Sequence, residues 1–178
     1  KFNGEIVNAD SMQVYKEVKV LSARPEDTSI KHHLYGYISV RNRFSTGLWI
    51  KKAVNKIKQI NKKGKMALVV GGTGLYFKAL TEGFSEIPNV PKPKKNFKFN
   101  KKYFIKYPKI FKGVPFSDKQ RLQRAFLVYK FSGKPLWFWQ KKNKKFFKST
   151  DFAKIYLKPP KSEIEKRNVE MGEGVCLV

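Results

Sequence analysis

The chain has one cysteine among its 178 residues, Cys176, and a lone thiol excludes a disulfide framework and fits a reducing compartment. It has no run approaching the roughly 20 apolar residues of a membrane span, and no charged-then-apolar signal segment opens it. The expected location is cytoplasmic, with no membrane partner. Acidic residues are scarce: 13 Asp and Glu stand against 39 Lys and Arg, a formal net charge of +26. An excess of that size points to a polyanionic partner such as nucleic acid. Arginine is scarce too, with 6 Arg beside 33 Lys and many Asn, Phe, Tyr and Ile, as AT-rich codons would encode whatever the function. Charge alone therefore leaves a merely solvated lysine face open.

The length suits one domain, able to bury about two-thirds of its unfolded surface. At its centre stands Ala67-Leu68-Val69-Val70-Gly71-Gly72-Thr73-Gly74-Leu75-Tyr76, which reads as a strand buried on both faces turning through glycines into a helix, with Leu75, Ala79 and Leu80 at helical spacing. Three glycines in four residues allow a tight turn and leave amides at a helix N-terminus, where an anion or polar ligand is favoured. A glycine turn that only packs helix on strand stays open, because the run is neither a dinucleotide fingerprint nor a P-loop.

Glu5-Ile6-Val7-Asn8-Ala9 reads as an earlier strand, followed by the polar cluster Asp10-Ser11-Met12-Gln13 where open α/β sheets place ligands. The plainer role for Asp10 is to cap a short helix through Tyr15. His32-His33 falls in a loop, and with no Cys or further His near it does not read as a metal site. From Ser45, the stripe Ile50, Ala53, Val54, Ile57 and Ile60 marks a packing helix stopped by Gly64. Strand, helix, strand, helix predicts a parallel sheet.

Between Glu86 and Phe116, prolines and Lys-aromatic sequence show no period and read as an irregular excursion, able to stack bases or simply biased in composition. Ser117-Asp118-Lys119-Gln120 then reads as a capping box opening a helix with Leu122, Ala125, Phe126 and Tyr129 inward and Gln120, Arg121 and Arg124 on a polar edge. A last strand is expected at Ala153–Leu157 and a helix near Ser162–Met171.

Taken together, Asn8-Ala9-Asp10-Ser11-Met12-Gln13-Val14-Tyr15, His32-His33-Leu34, Val70-Gly71-Gly72-Thr73-Gly74-Leu75-Tyr76 and Asp118-Lys119-Gln120-Arg121-Leu122-Gln123-Arg124-Ala125 closely resemble the tRNA dimethylallyltransferases. Gly133-Lys134-Pro135-Leu136 and Trp139-Gln140 extend the match. These bacterial and organellar enzymes prenylate an adenine beside the anticodon.

The resemblance implies an α/β fold, a P-loop NTPase-like parallel sheet flanked by helices, with the core at 1–91 and 117–178 and a shortened insertion at 92–116. It implies dimethylallyl diphosphate and tRNA as partners, Mg²⁺ assisting diphosphate departure, and a monomer. Asp10 takes the place of the carboxylate facing the adenine amine. Ser11, Met12 and Gln13 lie beside the base, and Thr73, Lys95 and Gln120 through Arg124 (Arg121, Leu122, Gln123) fall at tRNA-binding positions. Arg167 matches a diphosphate-side arginine with the register broken, and no metal ligand is assigned.

The family's phosphate loop, Gly-x-x-x-x-Gly-Lys-Ser/Thr, is expected before residue 1 and does not occur in this sequence, and the later tRNA-binding elements are missing. The expectation is a fragment or truncated relative with the base-side half of the site and impaired transfer. A non-catalytic basic RNA-binding remnant and a P-loop-fold transferase or kinase for a small molecule are the alternatives.

Overall fold

In the computed structural model, which describes residues 3–26, 29–90 and 101–176, short strands and helices alternate. The order is β1 (Gly4–Asn8), β2 (His32–His33), α1 (Thr46–Lys62), β3 (Met66–Val70), α2 (Gly74–Thr81), β4 (Phe84–Ser85), α3 (Lys101–Lys106), α4 (Lys119–Ser132), α5 (Leu136–Gln140), β5 (Asn143–Lys144) and α6 (Lys161–Cys176). Single 3₁₀ turns lie at Pro108–Phe111 and Ser149–Asp151. The chain divides into two units, Lys1–Thr81 with Phe146–Val178, and Glu82–Lys145.

In the first unit β1 is the middle strand of a parallel sheet ordered β2-β1-β3. Its register with β3 runs from Gly4 opposite Met66 to Asn8 opposite Val70, so both strands deliver their carboxyl ends to the same edge. Helix α1 starts where the Ser45 hydroxyl accepts the Leu48 amide at 3.3 Å, and Gly64, at φ +69°, follows its end in the left-handed conformation that a side chain would disfavour. Its stripe of Ile50, Ala53, Val54, Ile57 and Ile60 is buried as the spacing predicts, and Trp49 joins it. Each fully buried isoleucine on that face is worth about 1.5–3 kcal/mol relative to exposure.

Several expectations change here. Strand β3 is not buried on both faces: it sits at the edge of the described sheet, with Met66 and Val70 about half exposed. Leu75 points to solvent at 59% exposure, and Tyr76, Ala79 and Leu80 form the buried face of α2. His32-His33 is a short parallel strand, not a loop. Ala153–Leu157 forms no strand, and Ile155, Tyr156 and Leu157 stand 83–87% exposed. β-propensity there meets no paired neighbour among the described residues, and a strand without a ladder has nothing to hold it extended.

The second unit has its own core of Ile110, Phe111, Leu122, Ala125, Val128 and Leu136. The sequence between Glu86 and Phe116 is therefore not wholly irregular: α3 and the Pro108–Phe111 turn lie in it, too short to show a period, and Ile110 and Phe111 are buried. This unit extends over 82–145, including α4. Helix α4 is capped one residue later than the expected box: Asp118 accepts the Arg121 amide at 2.9 Å, and its charge suits a helix N-terminus. Its inward face uses Val128 where the sequence pointed to Tyr129, and Gly133 closes it at φ +67°. Strands β4 and β5 pair antiparallel, and Gly83 is needed beside them because a Cβ there would stand 2.8 Å from the Lys144 carbonyl oxygen.

Candidate active site

Asn8 ends β1 fully buried, and a buried amide must find partners on every side. Its Oδ1 accepts the Asp10 amide at 2.8 Å, and its Nδ2 donates to the carbonyls of Asp10 and Leu34, both at 3.0 Å. Its own carbonyl accepts the Trp49 indole N–H at 2.8 Å, tying helix α1 to the end of the strand. Trp49 in turn stacks on Tyr76 of α2, with centroids 4.2 Å apart and planes 11° from parallel. One side chain thus shapes the Asp10 loop.

The loop continues as an Asx-type turn in which Asp10 Oδ1 accepts the amides of Met12 (2.7 Å) and Gln13 (3.2 Å). This is the local capping role weighed from sequence, realised over a turn with no helix through Tyr15. The other oxygen, Oδ2, lies 3.6 Å from where a Cβ on Gly72 would stand, over the glycine turn. Two bonds join that turn to the loop: the Ser11 amide donates to Thr73 Oγ1 at 2.9 Å, and the Thr73 amide donates to the Ala9 carbonyl at 3.1 Å. Gly71 permits the approach, since a Cβ there would fall 2.2 Å from the Ala9 carbonyl carbon and 2.6 Å from the Asp10 nitrogen.

Asp10, Ser11, Met12 and Thr73 therefore meet at the carboxyl edge of β1 and β3. Met12 is 54% exposed and available to a ligand. Gln13 is otherwise engaged, its Nε2 donating to the carbonyls of Ser22 (2.8 Å) and Ala23 (3.2 Å) and closing the following loop. Two phenols feel the site: burial first and the Asp10 charge after it raise the Tyr35 hydroxyl above its ordinary range, and burial, then Tyr15 and Asp10, push Tyr76 up to about 12. Both stay protonated at neutral pH.

Gln120 through Arg124 lie on α4 in the second unit. Leu122 is fully buried in that core, so its side chain packs the helix and offers no surface to RNA. Gln120 and Arg121 are exposed, and Gln123 and Arg124 are half-buried. Arg121 Nε pairs with Asp118 Oδ2 at 3.2 Å, while burial lowers the pKa of the Arg124 guanidinium. Arg167 is exposed on α6 and paired with Glu163 one turn back. Lys95 lies outside the described residues.

Among the described residues no three His, Cys, Asp or Glu side chains are grouped to hold a metal ion. Asp10 Oδ1 already takes two amides, so this carboxylate is committed to holding its own loop.

Sequence reasoning passed over Asn8, Trp49 and Tyr35. The signal for Asn8 was present: an amide inside the apolar run Ile6-Val7-Asn8-Ala9 demands buried partners.

The family model described as IPP transferase matches residues 13–173. The chain belongs to the IPP transferase family. A tRNA dimethylallyltransferase of Pelagibacter ubique is 40% identical over 184 residues, covering 95% of this chain and 59% of that protein. One of Hyphomonas neptunium is 34% identical, over 99% of this chain and 61% of that protein. The chain thus spans about three-fifths of the length of these relatives. A eukaryotic dimethylallyltransferase solved acting on tRNA superposes with a TM-score of 0.59 at 25% identity, over 83% of this chain and 40% of that one. The α/β architecture with a parallel, P-loop NTPase-like sheet is the one expected of an IPP transferase.

Proposed function

We propose that this chain forms the base side of a tRNA prenyltransferase that moves a dimethylallyl group from its diphosphate to the exocyclic amine of an adenine next to the anticodon. The proposal extends to a monomer working in the cytoplasm. The amine nitrogen bonds to the allylic carbon, the carbon–oxygen bond to diphosphate breaks with its electron pair leaving on the diphosphate, and the amine proton passes to Asp10. An adenine amine is a weak nucleophile because its lone pair is delocalised into the ring, so a carboxylate held to accept that proton matters by roughly 10²–10⁴-fold.

The observation that carries this reading is the pinned Asp10: Oδ1 is fixed by two backbone amides, while Oδ2 lies over the glycine turn beside Ser11 and Thr73. Such restraint lowers the reorganisation needed at the moment of transfer. Ser11 and Met12 would border the base, with the Gln13 side chain holding the loop from behind. Gln120, Arg121, Gln123 and Arg124 would meet tRNA, and a net charge of +26 supports a polyanionic partner. Lys95 and Arg167 are further contacts that the family resemblance suggests. Each of these roles is one that the side chain itself performs, and Mg²⁺, which the family resemblance suggests, would assist departure of the diphosphate.

The test is transfer of labelled dimethylallyl to an anticodon stem-loop by a protein in which the family's phosphate loop is joined ahead of Lys1. Asp10→Asn should lower the transfer rate by about 10²-fold or more with RNA affinity retained. Full activity in that variant would remove Asp10 from the chemistry.

A further inference from the structure

Beside the Asp10 loop, Arg24, Ser29, Ile30, Lys31, His32 and Tyr35 help line a cavity of about 460 Å³. That is within the roughly 300–1,000 Å³ of small-ligand pockets. Lysines are everywhere in this chain, so a lysine in a groove says little, but arginines number only 6 and this one is placed with care. The Arg24 guanidinium lies directly on Gly36, where a Cβ would stand 1.6 Å from Nη1 and 2.5 Å from Cζ, and Gly36 itself, at φ +51°, is in the left-handed region that favours glycine. It makes a long hydrogen bond, Nη1 to the Tyr15 carbonyl at 3.4 Å. Among the described residues it has no carboxylate partner and spends few of its five N–H donors. Glu26, two residues on, is engaged by Lys19 at 2.7 Å.

The other walls complement it. His32 Nδ1 donates to the Ile30 carbonyl at 2.7 Å, which fixes the ring and leaves Nε2 for a ligand. Tyr35 meets the His32 ring edge-on, with centroids 5.3 Å apart, and its hydroxyl is a donor at neutral pH, as any phenol is, with burial and then Asp10 holding it further from ionisation. Lys31 is exposed at the rim, and its backbone is held by the Ile6 amide donating to its carbonyl at 2.9 Å. A half-buried guanidinium with no carboxylate partner among the described residues, beside a phenol and an imidazole, suits an acceptor-rich anion.

We propose that this cavity binds a phosphate group, either of an RNA backbone or of a free diphosphate, with Arg24 as its anchor, His32 and Tyr35 as hydrogen-bond partners and Lys31 at its mouth. Binding there can be tested on the chain as it stands, without prenyl transfer. In amide-resolved NMR, pyrophosphate at constant ionic strength should shift His32, Tyr35 and Lys31 in a saturable way. Arg24→Gln should weaken this about tenfold, the effect of removing one charge-assisted hydrogen bond, and Lys31→Gln, an exposed change that leaves the fold intact, by about two- to threefold. A short single-stranded RNA that displaces pyrophosphate assigns the site to backbone phosphate, and one that does not assigns it to a free diphosphate. Shifts that follow ionic strength alone, or unchanged pyrophosphate affinity in Lys31→Gln and in a folded Arg24→Gln, would overturn the proposal.

Discussion

The Ser11 amide and the Thr73 hydroxyl, 62 residues apart in sequence, meet at 2.9 Å and bind the loop after the first strand to the turn after the third. Thr73→Val keeps the shape and removes the acceptor. Such a bond is worth about 0.5–1.5 kcal/mol net, and more if the amide is left buried, so the urea midpoint should fall while Thr73→Ser holds it. Ser11 amide exchange should quicken in the valine variant alone. No change in exchange would mean that the bond contributes nothing to holding the loop.

Asn8 concentrates more connections than Thr73, and its loss should be costlier. Asn8→Leu leaves the Asp10 amide and the Leu34 carbonyl without their partner, at about 1–3 kcal/mol for each group that water cannot reach. Denaturant unfolding of the variant would measure it. A cost below about 0.5 kcal/mol would show that water replaces the amide readily.

Gly71→Ala should be worse than any alanine on the surface of α1, because the new methyl meets backbone at 2.2–2.6 Å and backbone cannot swing aside. Overpacking of this kind costs about 1–3 kcal/mol, and here it would also push the Asp10 loop from the glycine turn. Gly72→Ala, whose nearest neighbour is Asp10 Oδ2 at 3.6 Å, should be close to neutral for stability. Equal destabilisation by the two would contradict the close approach at Gly71.

In the folded chain Glu5 resists protonation by acid. Its carboxyl is buried between His33 Nε2 at 2.6 Å and Lys65 Nζ at 3.1 Å, and these two hydrogen bonds, His33 first, lower its pKa from 4.5 to about 2. The unfolded chain therefore takes up this proton before the folded one does. The contribution is complete above about 4.5 and drains away as pH falls toward about 2. Glu5→Gln should flatten the stability profile across that window, and an unaltered profile would assign the acid sensitivity to other groups.

For RNA, replacing Arg121 and Arg124 with alanine should weaken anticodon stem-loop binding and reduce the salt slope by about one unit for each phosphate no longer neutralised. Lys56→Ala with Lys63→Ala, on or beside α1, is the control for bulk charge. Equal losses of affinity in the two pairs would leave α4 with no special role.

The elements legible in the sequence were those whose side chains carry their own period. The α1 stripe from Ile50 to Ile60 and the glycine turn before α2 needed no tertiary information, and parallel β1 and β3 followed from strand-helix-strand order. What hydropathy could not express is who the neighbour is. Val69-Val70 and Ile155-Tyr156-Leu157 are equally good strand material, yet the first pairs with β1 and the second pairs with nothing described. Leu122 shows a second blind spot: a run that reads as one motif mixes residues that face the core with residues that face outward. Asn8 lies inside a family motif too, but its weight comes from carbonyls of Asp10 and Leu34 that only the folded backbone brings to it.

The indole of Trp49 makes the Asp10 loop accessible to optics. It is shielded completely, stacked on Tyr76 and bonded to Asn8, whereas Trp137 and Trp139, in the other unit, are only half-buried. Acrylamide should quench the latter pair and spare Trp49, so the emission that survives the quencher is a signal from this loop alone. Its wavelength and lifetime would record every loosening of the strand end that carries Asp10, without a label.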